Sequence, residues 1–426
     1  MNKMLLNPKK QILFVVVVLL LSGGVLVQGG DEDYPFRSEA EYQSLGAKTA
    51  YEQYLEEENL PVYSGWAANA LEIKLEPWKR QGQGISGAFV NLEGMGGAVD
   101  NYVMEIQPGA STKPEHHIYE ETIFVMLGEG ETHLWRQGDP ENKVIVKWRK
   151  GTVFAPPLNT WHQHFNKGKT PVRLAVGTTL PILMDIFRSR NFIWNNPIDF
   201  SDRYAGELDY FDPENRVDYA PTTEHHSLTI SNMIRNAWTW RLFNAGQGYK
   251  DTDRHIVLSK SAMSTRVEEF PTGTYERGHR HKAGVTIVMI TGTGYTFLWP
   301  QDVGATPWKN GKEAQVELVE WEPGVIFVPP EQWYHQHFNS GKDPARYVRL
   351  GAPPGNEVYK VGAVGLSLGT NTRIQFRDED PYMRDQFEKE LAKSGATIGM
   401  PSREELIRLE DEAGGGFLQA AVTSSE

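Results

Sequence analysis

The chain has 426 residues, 39% of them hydrophobic and 11% aromatic, which is enough for two cores and more than one compact domain usually needs. A formal charge of -12 repels phosphate backbones, and no Lys/Arg run beyond the first ten residues offsets it, which argues against nucleic acid as a partner and for a small-molecule substrate. The absence of cysteine removes disulfides, thiolate ligands and iron–sulfur clusters, so any metal must be held by histidines and carboxylates.

Residues 1–29 read as a targeting segment: Lys3, Lys9 and Lys10 precede an apolar stretch from Ile12 to Val27, broken only by Ser22, Gly23 and Gly24. The expectation is an exported protein, or one anchored to a membrane by this segment alone if it is not cleaved. Residues 30–85 form a helical and extended arm, with Tyr, Leu and Ala at helical spacing from Ser38 to Leu60.

From there the chain repeats itself. Val103 to Trp135 lies on Val267 to Trp299 at a constant offset of 164, matching Gly109 with Gly273, His117 with His281, and Leu134-Trp135 with Leu298-Trp299. The offset then becomes 173, placing Trp148 on Trp321, Gly151 on Gly324, Pro156-Pro157 on Pro329-Pro330, and His162, His164 and Asn166 on His335, His337 and Asn339. The change of nine falls in Pro300 to Lys312, whose Pro, Gly, Asp and Asn content marks a surface loop. Short alternating runs such as Thr122 to Met126 and Val285 to Met289, closed by Gly-x-Gly, predict strands and turns, hence two tandem β-barrels at residues 86–185 and 226–355. Residues 186–225 read as an ordered linker without clear periodicity, and 356–426 as a helical tail with helices at Pro381 to Leu391 and Ser402 to Glu412. Ser402 with Glu405 has the form of a capping box. The repeated Trp135 and Trp299 are expected in the core.

The repeated motifs resemble those of the cupin superfamily, G-x5-H-x-H-x3-E-x6-G followed by G-x5-P-x-G-x2-H-x3-N. The second copy offers Gly273, His279, His281 and Gly292, with Val285 in the place of Glu, then Gly324, Pro330, His335 and Asn339. The first offers Gly109, Glu115 in the place of the first His, His117, Glu121 and Gly128, then Gly151, Pro157, His162 and Asn166. The resemblance implies an all-β chain of two tandem double-stranded β-helix (jelly-roll) barrels with flanking helices, and a metal site inside each functional copy.

Residues at i and i+2 on a strand face the same way, so His279 and His281 can present both imidazoles to one interior, with His335 arriving from another strand. Three convergent imidazoles suit Fe, Zn, Cu or Ni and leave positions open. In the first copy His117, Glu121 and His162 make a two-histidine, one-carboxylate set, with Glu115 as a candidate fourth ligand. His164 and His337 share the inward face and read as supporting groups, His337 being a candidate for a catalytic role. Tyr334, beside a ligand, is a candidate for lining the substrate pocket, and His116 is expected at the surface.

Pro156-Pro157 and Trp161-His162-Gln163-His164-Phe165-Asn166, together with Val285, are similar to the gentisate-type ring-cleaving dioxygenases. That resemblance implies Fe(II), with Mn, Zn, Ni and Cu as other divalent candidates, and a hydroxy-aromatic or other small organic acid as substrate. It also implies a homo-oligomer, for which the C-terminal helices are natural contacts. Three other classes remain: a bicupin decarboxylase of the oxalate type, ranked low because such enzymes usually keep a full three-His, one-Glu set that neither copy has, a metal-dependent isomerase or lyase on a sugar or organic acid, and a noncatalytic ligand-binding bicupin.

Overall fold

A computed structural model describes residues 48–221, 227–244, 249–281, 284–351 and 373–412. The targeting segment and the first part of the arm lie outside these residues, as does the beginning of the tail.

Sixteen strands build two matching sets of eight. The first barrel has β1 (Ile85–Val90), β2 (Asp100–Ile106), β3 (Glu121–Leu127), β4 (Glu129–Trp135), β5 (Val144–Arg149), β6 (Val153–Phe154), β7 (Trp161–Asn166) and β8 (Val172–Thr178). The second has β9 (Thr252–Leu258), β10 (Ser264–Phe270), β11 (Ile287–Thr291), β12 (Gly294–Trp299), β13 (Glu317–Trp321), β14 (Val325–Phe327), β15 (Tyr334–Phe338) and β16 (Ala345–Arg349). The larger sheet of the first barrel runs β1-β2-β8-β3-β6 and the smaller β7-β4-β5; the second runs β9-β10-β16-β11-β14 and β15-β12-β13, the same order. The architecture is all-β, in two double-stranded β-helix units.

Period-two patterning sets which side chains face inward. Along β7, His162, His164 and Asn166 are buried while Trp161, Gln163 and Phe165 are half-buried, and β5 alternates buried with exposed at every residue. The small sheet needs glycine at one matched pair of positions. A Cβ on Gly130 would lie 2.2 Å from the Phe165 carbonyl oxygen and 2.3 Å from the Trp148 ring, and one on Gly294 would lie 2.1 Å from the Phe338 oxygen and 2.4 Å from Trp321. Trp135 and Trp299 are buried, as expected. The insertion between β12 and β13 carries two short 3-10 turns, Gln301–Val303 and Glu313–Gln315.

The duplication extends further than the motifs. In the arm, Val62–Tyr63 pairs in parallel with β1, and Ala67–Asn69 then crosses to pair antiparallel with β14 of the second barrel. Ahead of the second barrel, Leu228–Ser231 pairs in parallel with β9, and Met233–Ile234 crosses to β6 of the first. Each barrel therefore lends a strand to the other. The hooks match too: Ala70 N–H donates to the Gly324 carbonyl and Ala237 N–H to the Gly151 carbonyl, both at 2.8 Å. Arg173, paired with Glu105, donates to the Ala70 and Leu71 carbonyls, and Arg346, paired with Glu269, to those of Ala237 and Trp238. Between the barrels lies one shared apolar core that includes Val103, Phe124, Val153, Val267, Val288 and Val348.

Helix α1 (Ala50–Glu58) is opened by a Thr49/Glu52 capping box and buries Tyr51, Tyr54 and Leu55 on the first barrel's core. Helices α2 (Leu180–Phe187) and α3 (Arg190–Trp194) were not expected from the sequence. They are short, and apolar runs of this length do not distinguish helix from strand. The linker's Tyr204, Tyr210 and Phe211 are buried in the same core. Helices α4 (Pro381–Ser394) and α5 (Arg403–Glu412) pack over the second barrel through Met383, Phe387, Leu391 and Leu406 against Tyr275 and Phe338.

Candidate metal centres

The segments ahead of β3 and β11 join the barrels by isolated bridges instead of full ladders, among them Glu115 with His162 in the first and His279 with His335 in the second. Short extended segments of this kind carry alternate side chains inward while leaving room beside them.

In the second barrel the ligating atoms of His279, His281 and His335 all lie within 4.8 Å of one another. Nδ1 of His279 sits 3.1 Å from the Arg277 carbonyl oxygen, and Nδ1 of His335 lies 3.1 Å from that of Trp333. An N–H at Nδ1 facing a carbonyl fixes the tautomer and leaves Nε2 as the lone-pair donor, the arrangement typical of metal-bound histidine. Burial holds His335 down at about 4 and His279 well below its ordinary value, with His335 as the next cause for the latter, so both are neutral near pH 7. Neutral, convergent and fixed imidazoles fit a divalent cation.

The first barrel brings together His117, Glu121 and His162 within the same distance. Nδ1 of His117 faces the Tyr119 carbonyl and Nδ1 of His162 the Thr160 carbonyl, each at 2.9 Å, while the Nε2 atoms of both are buried without a hydrogen-bond partner. Two orphaned nitrogens aimed at one point beside a carboxylate also fit a cation. Glu121 lies 3.4 Å from His117 Nε2 and accepts a hydrogen bond from Tyr102 Oη at 2.7 Å. Burial pushes the Glu121 carboxyl up, but His117 and His162 more than offset it and hold it below the ordinary value.

Three expectations need correction. Glu115 does not join the ligand group: its oxygens are taken by Arg80 at 2.6 Å and Gln81 at 2.7 Å, and although burial raises its pKa, Arg80 brings it down to about 2. Tyr334 lies on the opposite face of β15 from His335, its ring stacked on Trp299 at 5.6 Å, because neighbours on a strand point opposite ways. His116 turns away from the ligands as expected but is 5% exposed, packed 4.2 Å from the Trp161 ring with Nδ1 2.9 Å from Asn159 Oδ1.

His164 and His337 occupy equivalent posts. Nδ1 of each lies 2.7 Å from a threonine hydroxyl, Thr132 or Thr296, which in turn accepts from Trp148 or Trp321 Nε1. Burial pulls His164 down to about 3 and His337 well below its ordinary value. Nε2 of His337 lies 3.4 Å from Glu276, a buried carboxylate that is also 3.8 Å from His279.

The sequence reading also missed the charge inside the second barrel. Asp251, Glu268 and Glu276 bring carboxylate oxygens within 4.8 Å of one another, and Arg266 pairs with Asp253 at 2.8 Å and Glu268 at 2.5 Å. The signal was present in the repeat: Arg266 and Glu268 stand where the first copy has Tyr102 and Met104.

Residues 102–179 match the family model of the Cupin domain. Among solved structures, a point variant of Bacillus subtilis oxalate decarboxylase aligns with 69% of this chain and 80% of its own at 11% identity and a TM-score of 0.44. The Lactobacillus farciminis oxalate decarboxylase formate complex aligns over 68% and 89% at 12% identity and 0.43, and the Momordica charantia 7S globulin over 67% and 83% at 12% and 0.42. No curated protein matches the sequence.

Proposed function

Proceeding from a bicupin of the cupin superfamily, with a Cupin domain at residues 102–179 and its structural duplicate in the second barrel, we propose a mononuclear non-haem Fe(II) dioxygenase of small hydroxy-aromatic or organic acids. The supporting observation is the convergence of His279, His281 and His335, with no carboxylate in the ligand group and with His279 and His335 held neutral by burial. Such a set holds a divalent ion and leaves coordination positions for other ligands.

When bound, iron would supply Lewis-acid and one-electron chemistry at those open positions. The chain's own part is to orient the histidines through the Arg277 and Trp333 carbonyls, to exclude water by burial, and to set the Glu276 carboxyl, whose pKa burial raises well above its ordinary value, beside His337 and His279. The first barrel's His117, Glu121 and His162 would form a second centre with its own carboxylate. The reading includes export, or membrane anchoring, through residues 1–29 and assembly into a homo-oligomer; among the described residues no helix is long and apolar enough to cross a membrane.

The test is metal analysis of untagged protein followed by oxygen uptake under iron loading with a series of phenolic and simple organic acids. Uptake dependent on His281 supports the proposal. Metal retained without uptake on any acid would replace the dioxygenase with an isomerase or lyase. Failure to retain any metal after reconstitution would point to a noncatalytic binding protein.

A further inference from the structure

The two barrels differ most where their interiors should be equivalent. In the first, Tyr102 on β2 faces Val176 on β8 across the ladder, and the Tyr102 hydroxyl reaches the ligand carboxylate Glu121. In the second, Arg266 on β10 faces Arg349 on β16 in the same pairing, and Val285 stands where Glu121 would be. The cross-strand neighbour on the other side matches as well: Val176 pairs with Ile123 and Arg349 with Ile287, each two residues after the Glu121 or Val285 position and so on its face. Arg349 therefore looks onto the place that a carboxylate takes in the first barrel.

Arg349 is 7% exposed, and its partner is a neutral one: Nη2 donates to Ser264 Oγ at 2.7 Å, while Nε has no hydrogen-bond partner. It makes no ion pair among the described residues, since the acids nearest to it, Glu268 and Asp253, are paired with Arg266. Glu268 and Asp253 act on it only from beyond ion-pair distance, so its burial is penalised by desolvation, and arginine offers the planar fork that recognises carboxylates. Burial and the neighbouring Arg266 lower its pKa only to about 10, so it stays charged at neutral pH.

We propose that Arg349 is the seat of the substrate's carboxylate, which fills in the second barrel the place that Glu121 fills in the first. The inference rests on the second barrel being the metal centre, and it adds a specificity determinant: small acids are taken in preference to neutral molecules of the same shape. The acid would supply the negative charge that this barrel's histidine set lacks, with Arg349 as its anchor.

Titration calorimetry on Co(II)-loaded protein tests this, with acetate and 2-hydroxybenzoate as acid probes and 2-hydroxybenzamide as the neutral counterpart, metal content being measured on the same samples. Wild type should bind 2-hydroxybenzoate at least tenfold tighter than the amide. Arg349→Met should abolish that preference with metal unchanged, and Arg349→Lys should retain part of it. Val285→Glu, which returns a protein carboxylate to the same place, should weaken acid binding as well. Ligand-free Arg349→Met should melt no lower than wild type, because an unpaired buried charge has been removed, whereas a purely structural arginine would lower the melting point. Equal binding of acid and amide by wild type, a preference that survives Arg349→Met, or no acid binding at millimolar concentration would each overturn the proposal. If the second barrel holds no cobalt, the metal reading fails; acid binding lost in Arg349→Met would still support the seat.

Discussion

His279 and His335 are reciprocal cross-strand partners: each backbone N–H donates to the other's carbonyl oxygen, at 3.0 and 2.8 Å, and their rings stand 4.2 Å apart. In the first barrel the same reciprocal pair of backbone hydrogen bonds joins Glu115 to His162, at 3.0 and 2.9 Å. One backbone frame thus carries two histidines in one barrel, and a histidine opposite an arginine-bound glutamate in the other. His335→Ala should empty the second centre and His162→Ala the first, each removing one metal per chain by mass spectrometry. His116→Ala should remove none, and metal loss in that variant would show that the ligand register is misplaced.

Glu115 holds Arg80 and does not point at the cation position. Glu115→Ala should therefore leave the first barrel's metal content intact. It should lower stability by about 1–3 kcal/mol in urea unfolding, because the partly buried Arg80 keeps only Glu58 as its carboxylate partner. Metal loss without destabilisation would return Glu115 to the ligand set.

Asp100 is fully buried, accepts from Tyr51 Oη and the Asn101 N–H, and burial raises its pKa to about 7 despite those bonds. The folded chain thus holds this proton more tightly than the unfolded one. Its contribution is fully present below about pH 4 and is lost as pH rises through about 7, at up to about 1.4 kcal/mol per pH unit. Asp100→Asn should flatten that part of the stability profile between about pH 4 and 7 in denaturant titrations. An unchanged slope would mean that the carboxyl is ionised at neutral pH.

Arg346 ties the crossing segment at Ala237 and Trp238 to Glu269, and Arg173 does the same at Ala70 and Leu71 with Glu105. Arg346→Met and Arg173→Met should each cost about 2–4 kcal/mol by leaving carbonyls and a carboxylate without their donor. Similar losses in the two variants would reflect the symmetry of the strand exchange; a negligible loss in both would show that the crossing strands are held by the apolar core alone.

Local patterning made much of this protein legible. Alternation along Trp161 to Asn166 set the inward histidines of the first barrel, the constant offset carried them to His335 and His337 in the second, and the Gly-x-Gly turns marked strand ends. Tyr334, a neighbour of His335 on the strand, faces the other way and stacks on Trp299. The sequence by itself thus determined the duplication, the strand period and the identities of the convergent histidines, because those depend on residues a few positions apart. Only the tertiary structure decided that Arg80, 35 residues before Glu115, claims that carboxylate, that 67–69 and 233–234 exchange barrels, and that Arg349 faces the place where Val285 stands for a glutamate. Those outcomes are long-range competitions for buried charge and unpaired strand edges, and no period in the chain encodes which partner wins.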